Sequence, residues 1–172
     1  MKQLLIFILI IIISSLSAGI YGIIHDQITF TISPEYFTCL KFPQFGMEHL
    51  KLPVRIKVGI IGFLATWWMG LFLGIAYALI SLFLNPETIF KITLRSILIN
   101  LLITVVSGFS GYLYSILFLS PQHINWYIPN NIKDIQHYIQ VGSIHNFGYI
   151  GGIAGLVAGI TYQIRKSNVH FD

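Results

Sequence analysis

His25 and Asp26 follow the first apolar run of the chain, Glu35 comes ten positions later, and His145 stands at the start of the last apolar run. Imidazole nitrogens and carboxylate oxygens together form the donor set of zinc and similar divalent ions, and the same groups can shuttle a proton. Converging over one end of a helix bundle, these four side chains are candidate ligands for such a metal. The sequence has no His-Glu-x-x-His and the spacings are irregular, so no motif specifies the metal by itself. The structural alternative is that His25, Asp26 and Gln27 bond to one another and to nearby backbone, pinning the next link to the helix ends.

The elements that must position these residues are set by composition. The 172 residues are 55% hydrophobic and 9% charged, with a mean hydropathy of +0.78; soluble domains carry about 25% charged residues. An ordinary water-soluble domain is excluded. A membrane-crossing helix needs about 20 mostly apolar residues, and four stretches provide them: 4–24, 58–84, 96–119 and 144–164. The expected fold is an all-α integral membrane protein, a single domain over 1–172 built as a four-transmembrane-helix bundle. Polar links 25–57 and 120–143 fall on one side, and 85–95 on the other with both termini.

A secretory signal peptide is the competing reading of the first span, with Ser15, Ser17 and Ala18 as cleavable small residues. The apolar run continues to Ile24, longer than a signal core of about 7–15 residues, which favours an uncleaved anchor. Lys and Arg divide evenly between the two sides, so the positive-inside rule leaves orientation open; the anchor-like N-terminus favours termini inside. Ten basic against six acidic residues give a net charge of +4, but the basic residues lie singly at segment ends, as membrane-edge anchors rather than a nucleic-acid surface. Cys39 is the only cysteine, so no internal disulfide forms.

Five of the six histidines, His25, His49, His123, His137 and His145, share the side of the longer links with Asp26, Glu35, Glu48 and Asp134. Alternation of Ile28, Phe30 and Ile32 with Thr29, Thr31 and Ser33 predicts a short strand. Ser33, Pro34 and Glu35 then read as the start of a short helix towards Lys41, ended by Pro43. Ile132, Ile135 and Ile139 predict an amphipathic helix, with Gly142 and Ser143 turning the chain into the last span and His145 in its first turn. A polar cap of one strand and short helices results.

Small residues recur every four positions in the spans, as at Gly62, Thr66, Gly70, Gly74 and Ala78, and at Gly151, Gly155 and Gly159. Such strips let helices approach closely in lipid, within one chain or in a homo-oligomer. Asn100 and Arg95 are expected at an interface or between helices. Trp67 and Trp68 suggest either a helix that begins outside the bilayer or ring NH groups with buried partners. Gly108-Phe109-Ser110-Gly111 matches the Gly-x-Ser-Gly around the serine of rhomboid intramembrane proteases, but Ser110 and His145 are expected at different depths, which excludes a dyad.

The stretches "HDQITFTISPEYFTCLKFPQF", "ATWWMGLFLG" and "SIHNFGYIGG" resemble a family of small uncharacterised bacterial integral membrane proteins, which carry His-Asp-Gln and then Ser-Pro-Glu-Tyr-Phe after the first transmembrane helix. The resemblance spans most of the chain and implies a bacterial cytoplasmic (inner) membrane setting, with no chemistry attached. Two roles follow. The first is a non-enzymatic structural or partner-docking protein, which leads because four spans leave little room for a pathway. The second is a metal- or proton-linked enzyme or transporter built on His25, Asp26, Glu35 and His145, with a divalent ion such as Zn as its cofactor.

Overall fold

The computed structural model describes residues 2–85, 87–122 and 124–167. Helix α1 (Lys2–Ile32) is followed by a π-helical segment over Tyr36–Lys41 that runs into the short α2 (Phe42–Gln44). Then come α3 (Val54–Ser81), α4 (Ile89–Phe118) and α5 (Ile135–Lys166). Four of these, α1, α3, α4 and α5, are long and apolar enough to cross a membrane.

Each long helix begins before its expected span and α1 and α5 also end beyond theirs, and the polar cap differs accordingly. No strand forms among the described residues; α1 continues through Ile32 instead. The alternation at 28–33 is overridden because Asp26, Thr29 and Ser33 fall on one buried helix face, while the Thr29 and Thr31 hydroxyls donate to the carbonyls of His25 and Gln27 one turn back. Near apolar surroundings a helix satisfies its own backbone, which an unpaired strand does not. The Ser33 cap is present, its hydroxyl accepting from the Tyr36 N–H at 3.3 Å. The helical path then passes Pro43, which sits in the first turn of α2, where a missing N–H is tolerated. Gly142 and Ser143 make no turn, since α5 is continuous from Ile135. Ser143 is instead a packing residue, donating to the Gly111 carbonyl at 2.8 Å.

Two antiparallel helix pairs make the bundle. In the pair α1/α3, Gly22 lies against Gly62, and Gly70 and Gly74 lie against Ser14 and Ala18 or their neighbours. The Thr66 hydroxyl is 2.8 Å from the Ala18 carbonyl across that seam. In the pair α4/α5, Gly111 meets Phe147, Gly151 meets Thr104 and Ser107, and Gly155 meets Asn100. The strips anticipated from the sequence are thus the seams themselves.

Polar side chains join one pair to the other. Asn100 Nδ2 donates to the Tyr77 hydroxyl and to the Gly152 carbonyl, both at 3.2 Å. Gln163 Nε2 of α5 donates to the Tyr77 carbonyl of α3 at 3.5 Å and, within its own pair, to Thr93 of α4 at 2.7 Å. Asn100 therefore ties α4 to both α3 and α5. Replacing it by Ala should cost about 1 kcal/mol, within the range of about 0.6–1.7 kcal/mol for interhelical bonds in apolar surroundings, read as a lower denaturant midpoint in detergent.

At the polar end the two long links touch. Glu35 accepts from the backbone N–H groups of Lys133 and Asp134 at 2.8–3.2 Å, so 33–53 and 119–134 close over the same end of the bundle. Arg55 adds a second clamp, donating to the Gln27 carbonyl at 2.8 Å and to the Thr31 hydroxyl at 3.1 Å.

Candidate metal centre

The inward face of α1 is unusual for an apolar helix. Gly22, Asp26, Thr29 and Ser33, three or four residues apart, are buried, while Ile20, Ile24 and Ile28 are exposed. On this stretch Ile20, Ile24 and Ile28 face outward while Asp26 and Thr29 face the other helices, Asp26 at 3% exposure. Since α5 begins at Ile135 rather than near His145, His145 lies ten residues inside that helix. It is brought opposite Asp26.

The His145 hydrogen bonds carry the chemistry. Its Nδ1 is 2.9 Å from the Val141 carbonyl, and a carbonyl only accepts, so Nδ1 holds the ring proton. In the neutral ring Nε2 is then a bare lone pair, and it lies 3.3 Å from Oδ1 of Asp26. Two acceptors do not face one another stably in a buried site. A proton, on either atom, or a metal ion belongs between them. A backbone carbonyl bonded to the far ring nitrogen is also the usual support of a metal-ligating histidine.

His25 completes the group. His25, Asp26 and His145 each offer one ligand atom, and these atoms lie within 4.8 Å of one another. Ligands about 2.1 Å from an ion lie at most about 4.2 Å apart, so small side-chain movements close the set. The two imidazoles meet edge-on, 4.9 Å between centroids, and Nδ1 of His25 is 3.1 Å from the Tyr21 hydroxyl. Above them Tyr36 stacks on His145 at 5.0 Å and Phe37 lies at 6.4 Å. Burial raises the Tyr36 phenol pKa well above its ordinary value, so the roof stays neutral.

Below the three side chains lies a cavity of about 80 Å³ between the helix pairs, reached by Thr66 and Met69 of α3, Asn100 and Thr104 of α4, and Tyr149 of α5. Gly148 and Gly152 also face it, and a Cβ at either would meet no atom within 4 Å. These glycines leave space rather than permit packing.

The remaining sequence candidates are elsewhere. The Glu35 carboxylate is taken up by the two backbone amides at the start of α5 and does not join the group. His49 is exposed, while His123, His170 and Asp172 lie outside the described residues. Ser110 is at a depth comparable to His145, contrary to the expectation, but it is exposed and donates back to the Val106 carbonyl at 2.9 Å. Direction rather than depth excludes the dyad. Trp67 and Trp68 fall at the middle of α3 and are 39% exposed.

His137 serves the helix start. Asp134 caps α5, accepting from the His137 N–H at 3.1 Å and lying 2.6 Å from His137 Nδ1. These bonds, the backbone one foremost, hold the Asp134 pKa below the usual 3.8. The cap is therefore complete above that value and is lost as pH falls through the lower folded pKa. At neutral pH, Asp134→Ala should speed amide exchange at 135–138 about fivefold, as expected for a ~1 kcal/mol cap; the native protein should show this acceleration only in strong acid.

No family model, curated protein or solved structure matches the chain. The geometry is therefore the sole source of the functional reading. Tyr21 carries no sequence expectation, and Tyr36 and Phe37 stand there only as part of the Ser-Pro-Glu-Tyr-Phe block. Tyr21 was findable, because positions i and i+4 on a helix place its hydroxyl beside His25; the aromatic roof depends on the fold of the 33–53 link.

Proposed function

We propose that this chain is an integral membrane protein, of the bacterial cytoplasmic membrane on the resemblance noted above, whose centre is a divalent metal site formed by His25, Asp26 and His145. The carrying observation is the buried lone pair of His145 Nε2 facing the Asp26 carboxylate at 3.3 Å, a gap that calls for a cation. Three protein ligands leave a coordination position free, as in catalytic rather than structural zinc sites. The three residues also line the interhelical cavity, from which a metal held by them would be reached. A metal there would polarise a bound oxygen or lower the pKa of a bound water, so the reading is a metal-dependent membrane enzyme.

The structural role expected at first becomes the second reading. It rests on the same contact with a proton in place of the metal, a charged His145–Asp26 pair latching α5 to α1. Elemental analysis of the detergent-purified protein separates the two. Near-stoichiometric zinc or another divalent ion, lost on dialysis against a chelator and restored by zinc, is the expected result. Metal-free protein that takes up no zinc would leave only the latch.

A further inference from the structure

Resting on that metal reading, we infer that the substrate of the centre is a lipid, whose acyl chain enters sideways between α1 and α4. A groove of about 600 Å³ runs there along Ile24, Ile28 and Ile32 of α1 and Val105, Gly108 and Phe109 of α4. His25 and Tyr21 line both this groove and the interior cavity. His25 is thus the wall shared by an apolar slot and the metal centre.

The direction of access selects the ligand. From the polar end the site is roofed by Tyr36, stacked on His145, and by Phe37, which is fully buried. Among the described residues these rings cover the site on the side from which a water-soluble substrate would come. On the flank, Ile24, Ile28, Val105 and Phe109 are each at least half exposed, and on helices of this length and hydropathy such a flank meets hydrocarbon. The slot is open at the level of the site because position 108 has no side chain: the only atoms near a Cβ there belong to Ile144, at 3.6 Å or more.

Depth agrees with a lipid. His25 follows directly on the 4–24 apolar run of α1, whose midpoint lies eleven residues back, about 16 Å at 1.5 Å per residue. The half-thickness of the hydrocarbon core is about 15 Å. The site therefore sits at the edge of the hydrocarbon, the depth at which the carbonyl ends of acyl chains lie. That oxygen is the group a metal at the free coordination position would bind.

The test uses the full chain in phosphatidylcholine nanodiscs containing a small fraction of a phosphatidylcholine with a photoreactive diazirine on its acyl chain. Labelled residues are mapped by mass spectrometry, and metal content is read on the same sample. Expected is labelling of half-buried Tyr21 and His25 comparable to that of exposed Leu102 and Phe72, falling severalfold in Gly108→Leu while metal content is unchanged. Labelling confined to exposed residues, with metal present, would overturn the lipid inference and leave the metal centre standing. Loss of groove labelling because a second copy covers it, shown by a crosslinked dimer, would overturn it equally. Groove labelling in a protein that binds no metal would instead overturn the metal reading, and with it the assignment of the lipid as the metal's ligand.

Discussion

Substitution of His145 by Ala is expected to abolish metal binding while the helices remain folded. The side chain supplies one of three ligands and holds its tautomer through the Val141 carbonyl. Groups that merely orient a ligand contribute about 10–100-fold to metal affinity, so loss of a ligand should weaken binding by more than about 100-fold. Asp26→Asn should do the same, keeping the volume of a side chain only 3% exposed. Tyr21→Phe removes just the hydroxyl beside His25, and a weakening of about tenfold is expected from a lost orienting bond. If the His145–Asp26 pair is only a latch, there is no bound metal for Tyr21→Phe to loosen. Metal content by elemental analysis and zinc competition with a chromogenic chelator measure all three.

The second large effect is on the fold. A Cβ at Gly62 would collide with the Gly22 carbonyl, and one at Gly22 with the Gly62 carbonyl. Backbone faces backbone, so no flexible side chain can yield. Overpacking costs about 1–3 kcal/mol where neighbours can adjust; here Gly62→Val should exceed about 3 kcal/mol, a large share of the roughly 5–15 kcal/mol of a folded domain. The variant is expected to be recovered only as aggregate on size-exclusion chromatography in detergent. Gly148→Ala and Gly152→Ala are the controls, since a Cβ at either meets nothing within 4 Å, and both should elute as the native protein does. Their equal behaviour would show that glycine in this bundle has two jobs, seam and cavity.

Much of the architecture was legible because lipid-facing helices are written in composition. The four apolar runs, the small-residue strips and the shared side of the two long links all follow from residue types and their period. What misled was local pattern near the polar end. Ile28, Phe30 and Ile32 alternate as a strand would, yet the decisive period is that of the buried Asp26, Thr29 and Ser33, an inward polar face that only a helix makes. Gly142 and Ser143 look like a turn in sequence, but within a membrane-type helix small residues mark contact, and both sit inside α5.

The same inversion governed the site. His25, Asp26 and His145 were identifiable as chemistry-bearing residues, and the fold brings them together. Glu35 belonged to the same sequence cluster but is spent on the backbone amides of Lys133 and Asp134, a partner ninety-eight residues away that no local pattern announces. The depth of His145 was unreadable for a related reason: it depends on α5 starting at Ile135, fixed by the Asp134 cap rather than by the onset of the apolar run.

The central claim is that a metal ion sits between His145 and Asp26. X-ray absorption at the zinc edge on native protein, purified without chelator, tests it most directly. Expected around the ion are two imidazoles at about 2.0–2.1 Å and oxygen ligands at about 2.0–2.2 Å, with this imidazole-bound zinc signal lost in His145→Ala. A shell of oxygen alone, or imidazole scattering that His145→Ala leaves unchanged, would contradict it.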